Sequence, residues 1–247
     1  MTTGYTVLTA LAVTGSALAQ DAAPVSNWDL KWSFNETAEI HTFKGDGSTM
    51  VGLNQNLSLD VNKVFHFDLD VPVYTQDDNT TLSNINLGGA WDVWSGKNDY
   101  LGAWGLTVGG GMYIPVGSEY FRNANVNPYL NAAFNCDLWM FDFVQTAGYR
   151  FNGGESYITW LGAKTNSDVT SLGTTLSYDW NGFKFGAQFD QMYYVNSGEA
   201  QLFLGPTVKW SAASNVDLSM GVAIPVYQDV VTPEANTIVT AGLGIKF

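Results

Sequence analysis

The stretch TIVTAGLGIKF, residues 237–247, alternates along its whole length. Thr237, Val239, Ala241, Leu243, Ile245 and Phe247 fall on one face, and Thr240, Gly242, Gly244 and Lys246 on the other. Successive side chains of a strand point to opposite faces, so one side of this segment meets a greasy surface and the other a polar, crowded interior.

The same alternation recurs across the chain. It predicts strands near 28–43, 50–61, 64–74, 81–94, 100–115, 126–136, 138–150, 169–181, 183–195, 200–210, 216–227 and 237–247. Each has at least the length of a tilted membrane-spanning strand. In 100–115, Trp104, Leu106, Val108, Met112 and Ile114 oppose Ala103, Gly105, Thr107, Gly109, Gly111 and Tyr113. Phe183, Phe185, Ala187 and Phe189 likewise oppose Lys184, Gln188 and Asp190. The expectation is an all-β, antiparallel transmembrane barrel of about twelve strands, or fourteen if 28–43 is itself a hairpin. A soluble sandwich would need a second sheet to supply the core.

Composition points the same way. Apolar residues make up 46% and aromatics 14%, while charged residues are only 13%. A soluble domain with so few charges is hard to keep dispersed, whereas a barrel buries its apolar face in lipid. No run of about 18 apolar residues offers a transmembrane helix. The net charge of −13 excludes a nucleic-acid partner, which needs basic surface. The single cysteine, Cys136, allows no internal disulfide. Residues 1–19 read as a signal peptide, with an apolar core at Val7 to Val13 and Ala17-Leu18-Ala19 as the cleavage site, although no Lys or Arg precedes that core. Residues 20–247 then form one barrel domain; the alternative is an apolar N-terminal strand.

Connections alternate short and long. The short ones are 62–63, 95–99, a turn at Cys136-Asp137, Asn181-Gly182 and 211–215. The others are 44–49, 75–80, 117–125, 151–168, 196–199 and 228–236. Outer-membrane barrels pair short periplasmic turns with longer external loops. Residues 156–164 look strand-like, but a thirteenth span would separate the termini, so the segment is assigned to the largest external loop. Trp28, Trp91, Trp94, Trp139, Trp180 and Trp210 fall at periplasmic strand ends, and Tyr74, Tyr149, Tyr193 and Tyr227 at external ends, as two aromatic girdles.

A closing strand that ends on an aromatic resembles bacterial outer-membrane β-barrel proteins. The resemblance implies an outer-membrane location, the lipid bilayer as partner, and Phe247 as part of a signal read by the barrel-assembly machinery. DLDVPVYTQDD, GGGMYIPVG and LGPTVKWSAASNVDLSMGVAIPVYQDV resemble the transporter-like family associated with phenol degradation by the MetA pathway. That resemblance implies passage of small solutes and supplies no catalytic residues. In these echoes Pro72, Pro115 and Pro225 point into the lumen, either shaping the external mouth or simply terminating regular pairing.

No nucleophile turn and no Cys/His cluster with metal spacing is present, so no enzyme, metal or cofactor is expected. The expected solute path is lined by His66, Asp68, Asp70, Asp92, Lys184, Gln188 and Asp190. His66, Asp68 and Asp70 share the inward face of one strand, beside Asn54, Asn56 and Asp60 on one neighbour and Asn84, Asn86 and Asp92 on the other. Adjacent carboxylates on one face repel unless a cation relieves them. The strip either attracts cations in a pore or joins a salt-bridge network with Lys31, Lys184 or Lys209. The leading expectation is an outer-membrane channel for small solutes, cation-preferring. The alternative is a non-conducting structural or surface-interaction barrel. Inward glycines (Gly105, Gly109, Gly111, Gly186, Gly221, Gly242) favour an open lumen; Phe203 and Tyr194 favour closure.

Overall fold

Alternating faces can be buried on one side and left apolar on the other only if the sheet closes on itself in lipid, and it does close. The computed structural model describes residues 29–44, 49–76, 79–117, 123–152, 156–158, 163–165, 167–229 and 235–247. The expected signal peptide and Trp28 lie outside the described residues, as do parts of the loops at 45–48, 77–78, 118–122, 153–155, 159–162, 166 and 230–234. The described chain forms β1 (Leu30–Phe43), β2 (Thr49–Val61), β3 (Phe65–Gln76), β4 (Asn79–Leu82), β5 (Asn84–Asn98), β6 (Gly102–Pro115), β7 (Asn127–Leu138) and β8 (Phe141–Arg150). It continues with β9 (Ser156–Ile158), β10 (Ala163–Thr165), β11 (Val169–Trp180), β12 (Phe183–Tyr194), β13 (Glu199–Ala213), β14 (Val216–Asp229) and β15 (Ala235–Lys246).

Each barrel strand pairs antiparallel with its neighbours in sequence, and β1 pairs with β15 from Ser33 opposite Lys246 to Thr42 opposite Thr237. The β2–β3 pairing completes the ring, so that every barrel strand other than the short β4 has a neighbour on each side. The result is a closed antiparallel barrel of twelve strands, counting β4 with β5. β9 and β10 pair only with each other, so residues 156–165 hold a small separate ribbon within the long connection.

The short turns carry the backbone their sequence demands. Asn62 and Lys63 both take positive φ, 54° and 57°, and Asn181-Gly182 takes 50° and 82°. Both pairs match the mirror-image two-residue turn favoured by twisted hairpins. The expected turn at Cys136-Asp137 is corrected: β7 runs on to Leu138, and the chain reverses at Trp139-Met140, with Trp139 at φ 61°. Likewise β5 extends to Asn98 and β13 to Ala213, so those turns are tighter than expected.

Two bulges adjust the faces. Between β5 and β6 the register shifts from Asp92 opposite Thr107 to Trp94 opposite Leu106. The extra residue turns Trp94 outward beside Trp91, and both are exposed. On β14 a shift between Pro225 and Tyr227 turns Tyr227 outward in the same way. Trp139, Trp180 and Trp210 are also exposed at the short-turn end, and Tyr193 at the other. Tyr74 does not belong to a girdle. It shares the inward parity of Asp70 and Pro72 and is only 2% exposed.

The outer surface is broadly apolar, with Val108, Met112, Leu130, Leu172, Phe185 and Met220 all exposed. A monomer in water does not show an apolar belt of this extent, and in a bilayer it is the required surface.

Candidate solute path in the barrel lumen

The lumen has two halves of different character. Toward the long-loop end, inward side chains pack to burial. Phe43, Met50 and Tyr74 form one cluster across β1, β2 and β3. Val169, Met192, Tyr194, Phe203 and Ile238 form a second across β11, β12, β13 and β15. Between them, the rings of Tyr113 and Tyr129 lie 5.2 Å apart, and the Arg150 guanidinium carbon sits 5.7 Å from the Tyr113 ring centre. Toward the short-turn end, inward positions such as Ser33, Asn35, Asp60, Gly105, Asn135, Lys184, Gly242 and Gly244 stay partly solvated.

Inward glycines serve this packing. A Cβ on Gly52 would lie 2.4 Å from the Tyr74 ring, and one on Gly111 or Gly88 would lie 2.6 or 2.5 Å from Tyr129 Oη. These glycines are sockets for tyrosines that lie across the sheet. The expectation that inward glycine means open space is therefore corrected at Gly111. At Gly186, Gly221 and Gly242 the nearest groups are the hydroxyls of Thr207, Thr240 and Ser219.

One wall carries the acidic strip. His66 stands between two carboxylates, with Nδ1 2.7 Å from Asp60 Oδ1 and Nε2 3.2 Å from Asp92 Oδ2. Thr107 Oγ1 donates to the other Asp92 oxygen at 2.5 Å. Ser58 Oγ donates to Asp68 at 2.7 Å. Asp70 is fully buried and accepts from Asn56 Nδ2 at 2.8 Å and Asn86 Nδ2 at 2.7 Å. The register makes this possible, because Asn56, Asp70 and Asn86 stand in one row across β2, β3 and β5.

The lysines go elsewhere. Lys184 Nζ meets Asp142 at 2.5 Å and Asp179 at 3.5 Å. Lys209 and Lys246 both meet Asp217 at 3.0 Å. Lys31 stands opposite Asp60 in the register. A salt-bridge network thus exists near the short-turn end, but it does not reach Asp68 or Asp70, whose donors are serine and asparagine.

The prolines stand where pairing fails. Pro72 is buried, and β3 leaves β5 for β4 at this point, with Ser83 N–H donating to Pro72 O at 2.9 Å. Pro225 stands opposite buried Phe203 at the β14 bulge, and Pro115 ends β6 opposite Asn84. Each lacks the N–H that would continue the ladder.

On the opposite wall, Gln188 and Asp190 border a small, partly open cavity of about 60 Å³. Glu39, Thr207, Val222, Ala223, Ile238 and Thr240 complete it, over Gly205 and Gly221. Sequence reading picked out Gln188 and Asp190 but missed Glu39 and the two threonines. Glu39 has the same parity as Asn35 and Thr37 along β1, so strict counting from Lys31 would have found it. Phe247, at the base of the last strand, is outward and 75% exposed, and its N–H donates to Trp32 O at 2.9 Å.

A closed twelve-stranded antiparallel barrel with an apolar outer belt and polar side chains along part of its lumen defines the class of outer-membrane β-barrel proteins. The NanC porin superposes with a TM-score of 0.62 at 9% identity, covering 87% of this chain and 100% of that one. An outer membrane channel from Pseudomonas putida F1 gives 0.61 at 10% identity, covering 94% and 100%. The KdgM porin gives 0.54 at 13%, covering 87% and 99%. No curated protein sequence matches the chain. Residues 15–242 match the family described as "Putative MetA-pathway of phenol degradation", and the chain belongs to that family. It is an outer-membrane β-barrel protein in contact with the lipid bilayer.

Proposed function

We propose that this barrel is a narrow channel for passive passage of small solutes across the outer membrane, and that its lumen prefers cations. One observation carries the reading: Asp68, Asp70 and Asp190 are buried or half-buried in the lumen wall with serine, asparagine and glutamine as hydrogen-bond donors, and no lysine or arginine pairs with them among the described residues. Fixed acidic charge in a narrow wall of low dielectric raises the local concentration of cations. Twelve strands give a lumen between those of packed eight-stranded barrels and wide porins. The reading assigns no catalytic role. It takes the barrel-assembly machinery as the partner that reads Phe247.

The test is reversal potential across a planar bilayer with a salt gradient. Cation preference is expected, fading toward 1 M salt, where the screening length is about 3 Å. Asp68→Asn with Asp70→Asn should reduce the preference while insertion persists. Anion preference, or insertion without conductance, would overturn the reading. The second outcome would favour a non-conducting structural barrel, for which the packed external half of the lumen is the supporting observation.

A further inference from the structure

Strand parity turns one carboxylate away from the lumen. Asn35 Nδ2 donates to Asn56 Oδ1 at 3.3 Å, and Asn56 in turn donates to buried Asp70. Asn35 therefore points inward, and Glu36, the next residue of β1, points outward. On β2, Gln55 lies between Asn54 and Asn56, both buried in the lumen wall, and is itself exposed on the outer surface. Glu36 and Gln55 stand directly opposite each other in the β1–β2 register. Their row continues through Leu243 and Leu218 on one side and Val71 on the other. Phe34, Leu57 and Ile245 form the outward row below. Apart from Asp229 at the external end of β14, Glu36 is the one Asp, Glu, Lys, Arg or His of outward parity among the described residues of the barrel strands.

The depth of this pair makes it costly in a lone barrel. Glu36 follows exposed Trp32 by one strand turn and more along β1, which at the rise and tilt of barrel strands puts it roughly 10 Å into the apolar belt. A glutamate is too short to carry its charge from there to the headgroups. A charged group facing lipid at that depth is disfavoured, and lipid tails offer it no donor. The outward Gln145 shows how the wall satisfies a polar group by itself: its Nε2 donates to Gly173 O at 2.8 Å, and its Oε1 accepts from Thr174 Oγ1 at 2.9 Å. The Glu36 carboxylate and the Gln55 amide make no such bond with any described residue.

The pair is complementary to itself. It offers an acceptor and a donor side by side, about 5 Å apart and at nearly one depth. A two-fold axis along the membrane normal, passing between them, brings each carboxylate onto the amide of a second copy, so that both contacts form at once. Ala38 and Ala241 stand opposite each other in the next row, both exposed, and their small side chains let two convex walls approach closely. We propose that the outward face of β15, β1 and β2 is the contact between two copies of this chain in the outer membrane, with Glu36 of each copy accepting from the Gln55 amide of the other. The contact lies on the outer wall and is indifferent to what the lumen passes, so it stands apart from the channel reading.

The experiment uses the full barrel in phosphatidylethanolamine–phosphatidylglycerol vesicles, with Cys136→Ser removing the native thiol. A nitroxide label is placed at Asp29→Cys, exposed at the foot of β1, or at Met140→Cys, exposed in the β7–β8 turn across the ring. Electron–electron double resonance reads the distance between labels on different copies. The Asp29 label should give a defined distance shorter than the width of one barrel, and the Met140 label none that short. Gln55→Glu sets carboxylate against carboxylate across the axis and should lower the paired fraction at least tenfold, as juxtaposed like charges do. Glu36→Gln combined with Gln55→Glu exchanges donor and acceptor and should restore it. No defined distance at Asp29, a short distance at Met140 instead, or undiminished pairing in folded Gln55→Glu overturns the proposal. Heat-modifiable migration shows which variants are folded. If Gln55→Glu alone does not insert, the comparison of the two label sites and the exchanged pair still decide.

Discussion

At the scale of single residues, the inward glycines carry the least obvious lesson. A Cβ at Gly111 would lie 2.2 Å from Leu87 O as well as 2.6 Å from Tyr129 Oη. The first neighbour is backbone and cannot swing away. Gly111→Ala should therefore destabilise the folded barrel by roughly 1–3 kcal/mol, the usual cost of overpacking. A lowered urea midpoint for refolding in detergent checks it, and an unchanged midpoint means that the β5–β6 pairing spreads at no cost. Phe247 makes the contrasting case. It is exposed, and its removal costs at most about 1–3 kcal/mol of apolar contact, too little to unfold a closed barrel. Phe247→Ala should refold normally in detergent yet assemble poorly in cells. Wild-type levels in the outer membrane would remove its role as an assembly signal.

At the scale of elements, strand parity was readable because period-two alternation is the direct imprint of lipid on one face and lumen on the other. Parity put His66, Asp68 and Asp70 on the inward face of one strand, and the structure holds them there. Bulges escaped, because an extra residue such as Val93 leaves no mark in composition, yet it decides which way Trp94 points. Glycine was misread at Gly111 for a related reason: sequence shows the missing side chain but not the tyrosine from β7 that lies over it. Topology can be checked directly. The Asn181-Gly182 turn closes a two-residue hairpin at the same end as the 62–63 and 139–140 turns, whereas residues 151–168 hold the separate β9–β10 ribbon at the other end. An epitope tag within 151–168 should be reached by antibody on intact cells, and a tag at 181–182 should not. The reverse labelling would invert the barrel.

At the scale of the whole molecule, the two halves of the lumen set the expected conductance. The half toward the short turns is polar and partly solvated, while the half toward the long loops is packed by Met50, Tyr74, Tyr113, Tyr129, Met192, Tyr194 and Phe203. A solute path through this barrel is limited by that packed layer, because every ion must pass between its side chains. The Tyr113 and Tyr129 rings pack together across adjacent strands, with the Arg150 guanidinium over Tyr113, so removing both rings opens space without cutting a ladder bond. Tyr113→Ala with Tyr129→Ala should raise single-channel conductance several-fold and leave the acidic strip on β3 to set selectivity. Gly111 and Gly88 would then face empty sockets, so some loss of stability is expected, of the order of a buried aromatic truncation at about 3–5 kcal/mol per ring. Heat-modifiable migration on a gel confirms that the variant is still a closed barrel before conductance is read. A folded variant whose conductance equals that of the wild type would place the restriction elsewhere, in the external loops above the packed layer.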